Sequence, residues 1–171
     1  RFGKLAAHYL AEEFDVVVYH RTDKSGEINR TGARAAPLET VCRQDIVIPC
    51  VPICVLQEVL EDIAPLLRPD GLIVDVCSVK VYPLQWMLEL LPESVSILPT
   101  HPMFGPDSAA ETLRGCKIVL CPERIAGDRY EKIKNWLEGR GLVVIKSTAQ
   151  EHDEKIAVSL SLTHFIGRTL S

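Results

Sequence analysis

The chain has no long hydrophobic run. Its longest, residues 46–56, is broken by Pro49 and Pro52 and falls well short of the ~20 apolar residues that a bilayer-spanning helix needs. A surplus of positive charge is also lacking. With 19 Lys and Arg against 23 Asp and Glu, no global field draws the molecule to nucleic acid or to an anionic membrane. The six cysteines, at 42, 50, 54, 77, 116 and 121, include no Cys-x-x-Cys pair, so the spacing points to reduced thiols and away from a metal site. The opening Arg1-Phe2-Gly3-Lys4 leads straight into a helical pattern, without the apolar stretch of a secretory signal. These absences describe a cytoplasmic protein whose charged ligands must be met locally.

What is present is an alternation of apolar patterns. Leu5, Ala6, Tyr9 and Leu10 share one helical face, and Asp15 to Tyr19 reads as a buried strand. After a polar loop over 23–32 come a strand at 45–48, a helix over 55–67 and a strand at 72–76. A helix over 82–91, strands at 95–98 and 117–120, a helix over 129–140 and a strand at 142–145 complete the series. Short apolar strands interleaved with amphipathic helices predict an α/β fold with a doubly wound, mainly parallel sheet. Thr148-x-x-Glu151 is a capping-box pattern, and the apolar period that follows to Leu170 predicts a long helix. The expected division is a dinucleotide-binding domain over 1–147 and the start of a helical domain over 148–171.

A dinucleotide-binding unit opens with a strand and G-x-G-x-x-G, whose third glycine lets helix and strand approach closely. If Gly3 is that glycine, the first strand and the two earlier glycines lie before residue 1, and a helix followed by a strand should come first. The acidic residue that binds the ribose of NAD belongs at the end of the next strand. Here His20-Arg21-Thr22 stands there. An arginine and a hydroxyl suit a 2′-phosphate, which favours NADP over NAD, with Asp23 placed to offset part of the charge.

Two further strand ends carry polar residues, Asp75 to Lys80 and Thr100 to Asp107. Ligands of open parallel sheets bind at the carboxyl ends of strands, so Ser78, Lys80 and His101 are expected to face one crevice, with His101 as a general base. Ser78 has no flanking glycines of the G-x-S-x-G kind, which sets acyl transfer aside. Asp45 and Asp75 lie at opposite ends of their strands, which disfavours a magnesium or phospho-acceptor pocket.

The segments Asp-Val-Cys-Ser-Val-Lys (75–80), Thr-His-Pro-Met-Phe-Gly-Pro-Asp-Ser (100–108), Glu-His-Asp (151–153) and Leu-Thr-His-Phe-Ile-Gly-Arg (162–168) resemble, in order and spacing, those of the prephenate and arogenate dehydrogenases of tyrosine biosynthesis. His20-Arg21-Thr22-Asp23 is similar to the Ser-Arg-Ser-Asp of the NADP-using, plant-type arogenate enzymes. The resemblance implies an oxidative decarboxylation in which His101 accepts the substrate hydroxyl proton and Ser78 orients His101 and the nicotinamide. It further implies that Cys50, Val51 and Pro52 line the ribose and nicotinamide, that Thr163 and His164 lie near the substrate, and that the helical domain builds a homodimer. A plastid location is compatible with it if a transit peptide has been removed. The residues alone leave two other readings open, a dehydrogenase of another hydroxy acid and a non-catalytic nucleotide-binding regulator.

Overall fold

The computed structural model describes residues 1–158; Thr163 and His164 lie outside the described residues. The chain opens with α1 (Phe2–Leu10), β1 (Val17–Val18), α2 (Ser25–Asn29), β2 (Arg34–Ala35), α3 (Leu38–Cys42) and β3 (Ile46–Val47). A 3-10 turn leads into α4 (Leu56–Ile63), followed by β4 (Leu72–Asp75), α5 (Val81–Leu90) and β5 (Ser96–Pro102). Last come β6 (Lys117–Leu120), α6 (Gly127–Gly139), β7 (Val143–Lys146) and helical residues 149–158. Helix α4 forms because Leu56, Leu60 and Ile63 fall on one face and are buried. It gives way to a tighter 3-10 turn containing Pro65, whose ring cannot continue a helix.

Strands β3 to β7 form one sheet in chain order, parallel except where β6 runs antiparallel to β5. Strands β1 and β2 pair separately, also in parallel. Strands β1 and β3 are not paired with each other among the described residues. Each of those two pairs on one side only among the described residues. Gly3 lies close to the segment after β3, where a Cβ on it would stand 3.0 Å from the Cβ of Cys50.

Side chains on a strand alternate between faces, and β4 and β5 divide the core accordingly. Ile73 and Ile97 join Leu56, Leu60 and Met87 of α4 and α5 on one face. Leu72 and Leu98 join Leu120 and Tyr130 on the other, with Leu5 and Tyr9 of α1 packed against them.

The carboxyl ends of β4 and β5 are locked together by charge. Lys80 and Asp75 are both wholly buried and form an ion pair. The Lys80 ammonium also donates to the Thr100 carbonyl at 2.6 Å, while the Thr100 hydroxyl donates to the Asp75 carbonyl at 2.7 Å. The second carboxylate oxygen of Asp75 accepts the Cys77 N–H at 2.7 Å. Removing one member of a buried pair leaves the other charge uncompensated, at a cost of about 3–5 kcal/mol, whereas replacing both by apolar groups is often close to neutral. Urea denaturation of Lys80→Met should therefore show a loss of about that size, and the double variant Asp75→Leu/Lys80→Met should recover part of it; an unchanged midpoint for Lys80→Met would remove the lock.

Candidate active site

Because β3, β4 and β5 are parallel, their carboxyl ends lie along one edge of the sheet. The segments leaving β3 and β4 there enclose a cleft of about 300 Å³ lined by Val51, Pro52, Ile53, Val76, Cys77, Ser78 and Val79. Its walls are apolar apart from the Ser78 hydroxyl, and Ser78 is exposed. Cys50 sits at the same edge, against Gly3. The Cys77 thiol is pushed up to about 12, chiefly by burial and then by the Asp75 carboxylate, so no thiolate nucleophile is available there.

A second cleft, of about 290 Å³, lies at the end of β1, where Val18, Tyr19, His20, Thr22 and Ser25 face Pro37. The Thr22 N–H donates to Nδ1 of His20 at 3.2 Å, which draws the turn closed. Arg21 is exposed on that turn and has no ion pair among the described residues. Asp23 makes no ion pair with it among the described residues. One Asp23 oxygen accepts the Ser25 hydroxyl at 2.6 Å and the Ser25 N–H at 2.9 Å, and these bonds hold the carboxyl below its usual range. An exposed arginine on the turn that borders one cleft, and apolar walls with a hydroxyl at the other, are groups that could hold the two ends of a dinucleotide.

His101 is half-buried near the end of β5, where it pairs with Val119 of β6. The segment after it leans over the start of α1. Phe104 stacks at a tilt on Phe2 with 6.1 Å between ring centres, and Asp107 meets Arg1 at 2.8 Å. His101 Nδ1 lies 2.9 Å from Nε2 of His152. Nδ1 of His152, in turn, is 2.7 Å from the Asp153 carboxylate, which also accepts the N–H groups of Lys80 at 2.7 Å and Val81 at 2.9 Å. His152 and Asp153 come from the first turns of the helix that starts at 149, whose opening shows the expected capping box: Glu151 N–H donates to the Thr148 hydroxyl at 3.2 Å.

Two expectations are corrected by this arrangement. Lys80 does not share a crevice with Ser78 and His101, because its ammonium is withdrawn into the ion pair with Asp75. The described partner of the His101 ring is His152, and no hydrogen bond links Ser78 to His101 among the described residues. His152 and Asp153 were not singled out as site residues from the sequence. The available signal was a His-Asp pair in the first turn of a capped helix, where side chains project back toward the preceding domain.

The family model described as prephenate dehydrogenase, nucleotide-binding domain, matches residues 11–146. The chain belongs to the prephenate dehydrogenase family. Among curated relatives, a probable arogenate/prephenate dehydrogenase of Methanocaldococcus jannaschii is 34% identical over 98% of this chain and 40% of its own length. The chloroplastic arogenate dehydrogenase 2 of Arabidopsis thaliana is also 34% identical, over 99% of this chain and 50% of its own. The archaeal and plant members of the family thus match equally well, and the chain spans about half their length or less. The crystal structure of the prephenate dehydrogenase of Aquifex aeolicus superposes with a TM-score of 0.82 at 20% identity, covering 98% of this chain and 66% of that one. That likeness is one of fold. No described helix is long and apolar enough to cross a membrane.

Burial, then the neighbouring His152 and Lys80, push His101 down to about 4 against the opposing pull of Asp153. Between pH 6.5, near the ordinary histidine value, and pH 4, the unfolded chain holds a proton on this ring and the native one does not. The His101 contribution to stability is therefore present above that window and lost as pH falls through it. The decline of the denaturation midpoint from pH 6.5 to 4 should be shallower in His101→Gln than in the parent; an identical slope would mean that the ring titrates normally in the native state.

Proposed function

We propose that the chain forms the cofactor-binding part of an NADP-dependent dehydrogenase that carries out the oxidative decarboxylation of arogenate or prephenate, with His101 as proton acceptor. The observation that carries this reading is the placement of His101, half-buried at the carboxyl end of β5, on the sheet edge that holds the Ser78 cleft. Family membership supports the substrate class, and the names of the archaeal and plant relatives support both substrates alike.

The pyridine nucleotide, when bound, supplies the hydride acceptor. Gly3 and the cleft of Val51, Pro52 and Ser78 would hold its ribose and nicotinamide end beside Cys50, and His20, Arg21 and Thr22 its adenosine end. His101 removes the proton of the ring hydroxyl as the hydride leaves the same carbon; loss of the ring carboxylate as carbon dioxide then makes the ring aromatic. A histidine already charged could not accept that proton, so its depressed pKa keeps it in the working form at neutral pH. Arg21 favours NADP because its guanidinium can donate to a 2′-phosphate.

The test is steady-state reduction of NADP and NAD by the full-length protein, with arogenate and prephenate in parallel. Turnover of either substrate with a preference for NADP is expected. His101→Ala should lower kcat by about 10²- to 10⁴-fold with NADP binding nearly intact, and Arg21→Ala should weaken NADP by about 10- to 100-fold with little change for NAD. Cofactor binding without reduction of either nucleotide would replace this reading with that of a nucleotide-binding regulator.

A further inference from the structure

We propose that His152 and Asp153 are positioning residues for His101: together they hold its ring in the one tautomer that leaves Nε2 free to accept a proton. This inference rests on the reading of His101 as the proton acceptor.

The assignment follows from which atoms can carry hydrogen. Burial works against the charge of Asp153, but the Val81 N–H, the His152 ring and the Lys80 N–H outweigh it and hold the carboxyl below its ordinary range. The group is an acceptor only. The hydrogen of the 2.7 Å contact therefore resides on Nδ1 of His152. In the neutral ring Nε2 of His152 is then bare, so the hydrogen of the 2.9 Å contact resides on Nδ1 of His101. The remaining nitrogen of His101, Nε2, carries a lone pair. Left to itself a neutral imidazole samples both tautomers, and only one of them is useful as a base at this atom.

The arrangement has the rigidity that such a role needs. His152 is buried, and its ring stands at 80° to that of His101 with 5.1 Å between centres. Asp153 is anchored by two main-chain N–H groups at the start of α5, so the chain of contacts ends on the backbone of the cofactor-binding domain. The charged groups facing His101 are Asp153, which stabilises a proton on its ring, and the Lys80 ammonium, which opposes one. In turnover the proton passes from the substrate hydroxyl to Nε2 of His101 and from there to solvent; His152 keeps its Nδ1 hydrogen and Asp153 stays an ionised acceptor throughout.

The test combines spectroscopy with kinetics on the full-length protein. In the 15N spectrum of imidazole-labelled protein near pH 7.5, His101 should show hydrogen on Nδ1 and a bare Nε2. His152→Leu keeps bulk but removes the acceptor. It should convert His101 to a tautomer mixture and lower kcat by about tenfold or more, leaving KM for substrate and NADP within about twofold. His152→Gln, whose amide oxygen can stand close to the site of the lost Nε2, should restore most of both signals. A bare Nδ1 on His101 in the parent protein would overturn the inference without need of any variant, and so would a folded His152→Leu enzyme with unchanged kcat and tautomer. Normal turnover by His101→Ala would instead remove the base on which the inference rests, an outcome distinct from either.

Discussion

A lysine ammonium taken wholly out of water is the constraint around which this structure is arranged. The effective penalty for burying such an ion is several kcal/mol, and Lys80 offsets it with the Asp75 carboxylate and the Thr100 carbonyl. To reach them, the chain must fold back within five residues of the end of β4, which folds 76–79 into a tight loop and exposes Ser78 at the cleft. It also sets the start of α5 at Val81, whose N–H, with that of Lys80, is offered to Asp153. Cleft, helix start and docking of the following helix are thus consequences of one buried charge.

The same low polarity has opposite effects on the groups around it. Asp75 and Lys80 remain as a pair because each compensates the other at contact distance. His101 has no carboxylate in direct contact and is held neutral, with a second histidine and the Lys80 ammonium adding to the effect of burial. Asp153 stays ionised because two main-chain dipoles and a ring N–H converge on it. Three degrees of compensation leave a fixed cation, a neutral base and a fixed anion within one small region.

Much of the architecture is legible in the apolar periods. The strand at 117–120 occurs where it is expected, and α4, α5, α6 and β7 lie within a few residues of their predicted limits. The exceptions are short. Helices α2 and α3 have five residues each, less than two turns, so no apolar stripe could announce them. Strand β1 shortens to Val17 and Val18, the two residues that pair with the equally short β2. In the site, His101 and Ser78 are visible as polar residues at strand ends. The fate of Lys80 is not, since a lysine beside a cleft and a lysine beneath it have the same neighbours in sequence. His152 escapes notice for a different reason: its contact with His101 spans the whole β6–α6–β7 excursion, a distance over which local pattern carries no information.

The contacts that Asp153 makes with α5 are to peptide groups and not to side chains. The seam between the sheet domain and the helix that follows is therefore blind to the identity of the residues on the exposed side of α5, where Tyr82 and Leu88 lie. That face can drift, acquire new partners or change charge over evolutionary time while the joint beneath it, and the histidine pair it steadies, keeps its geometry.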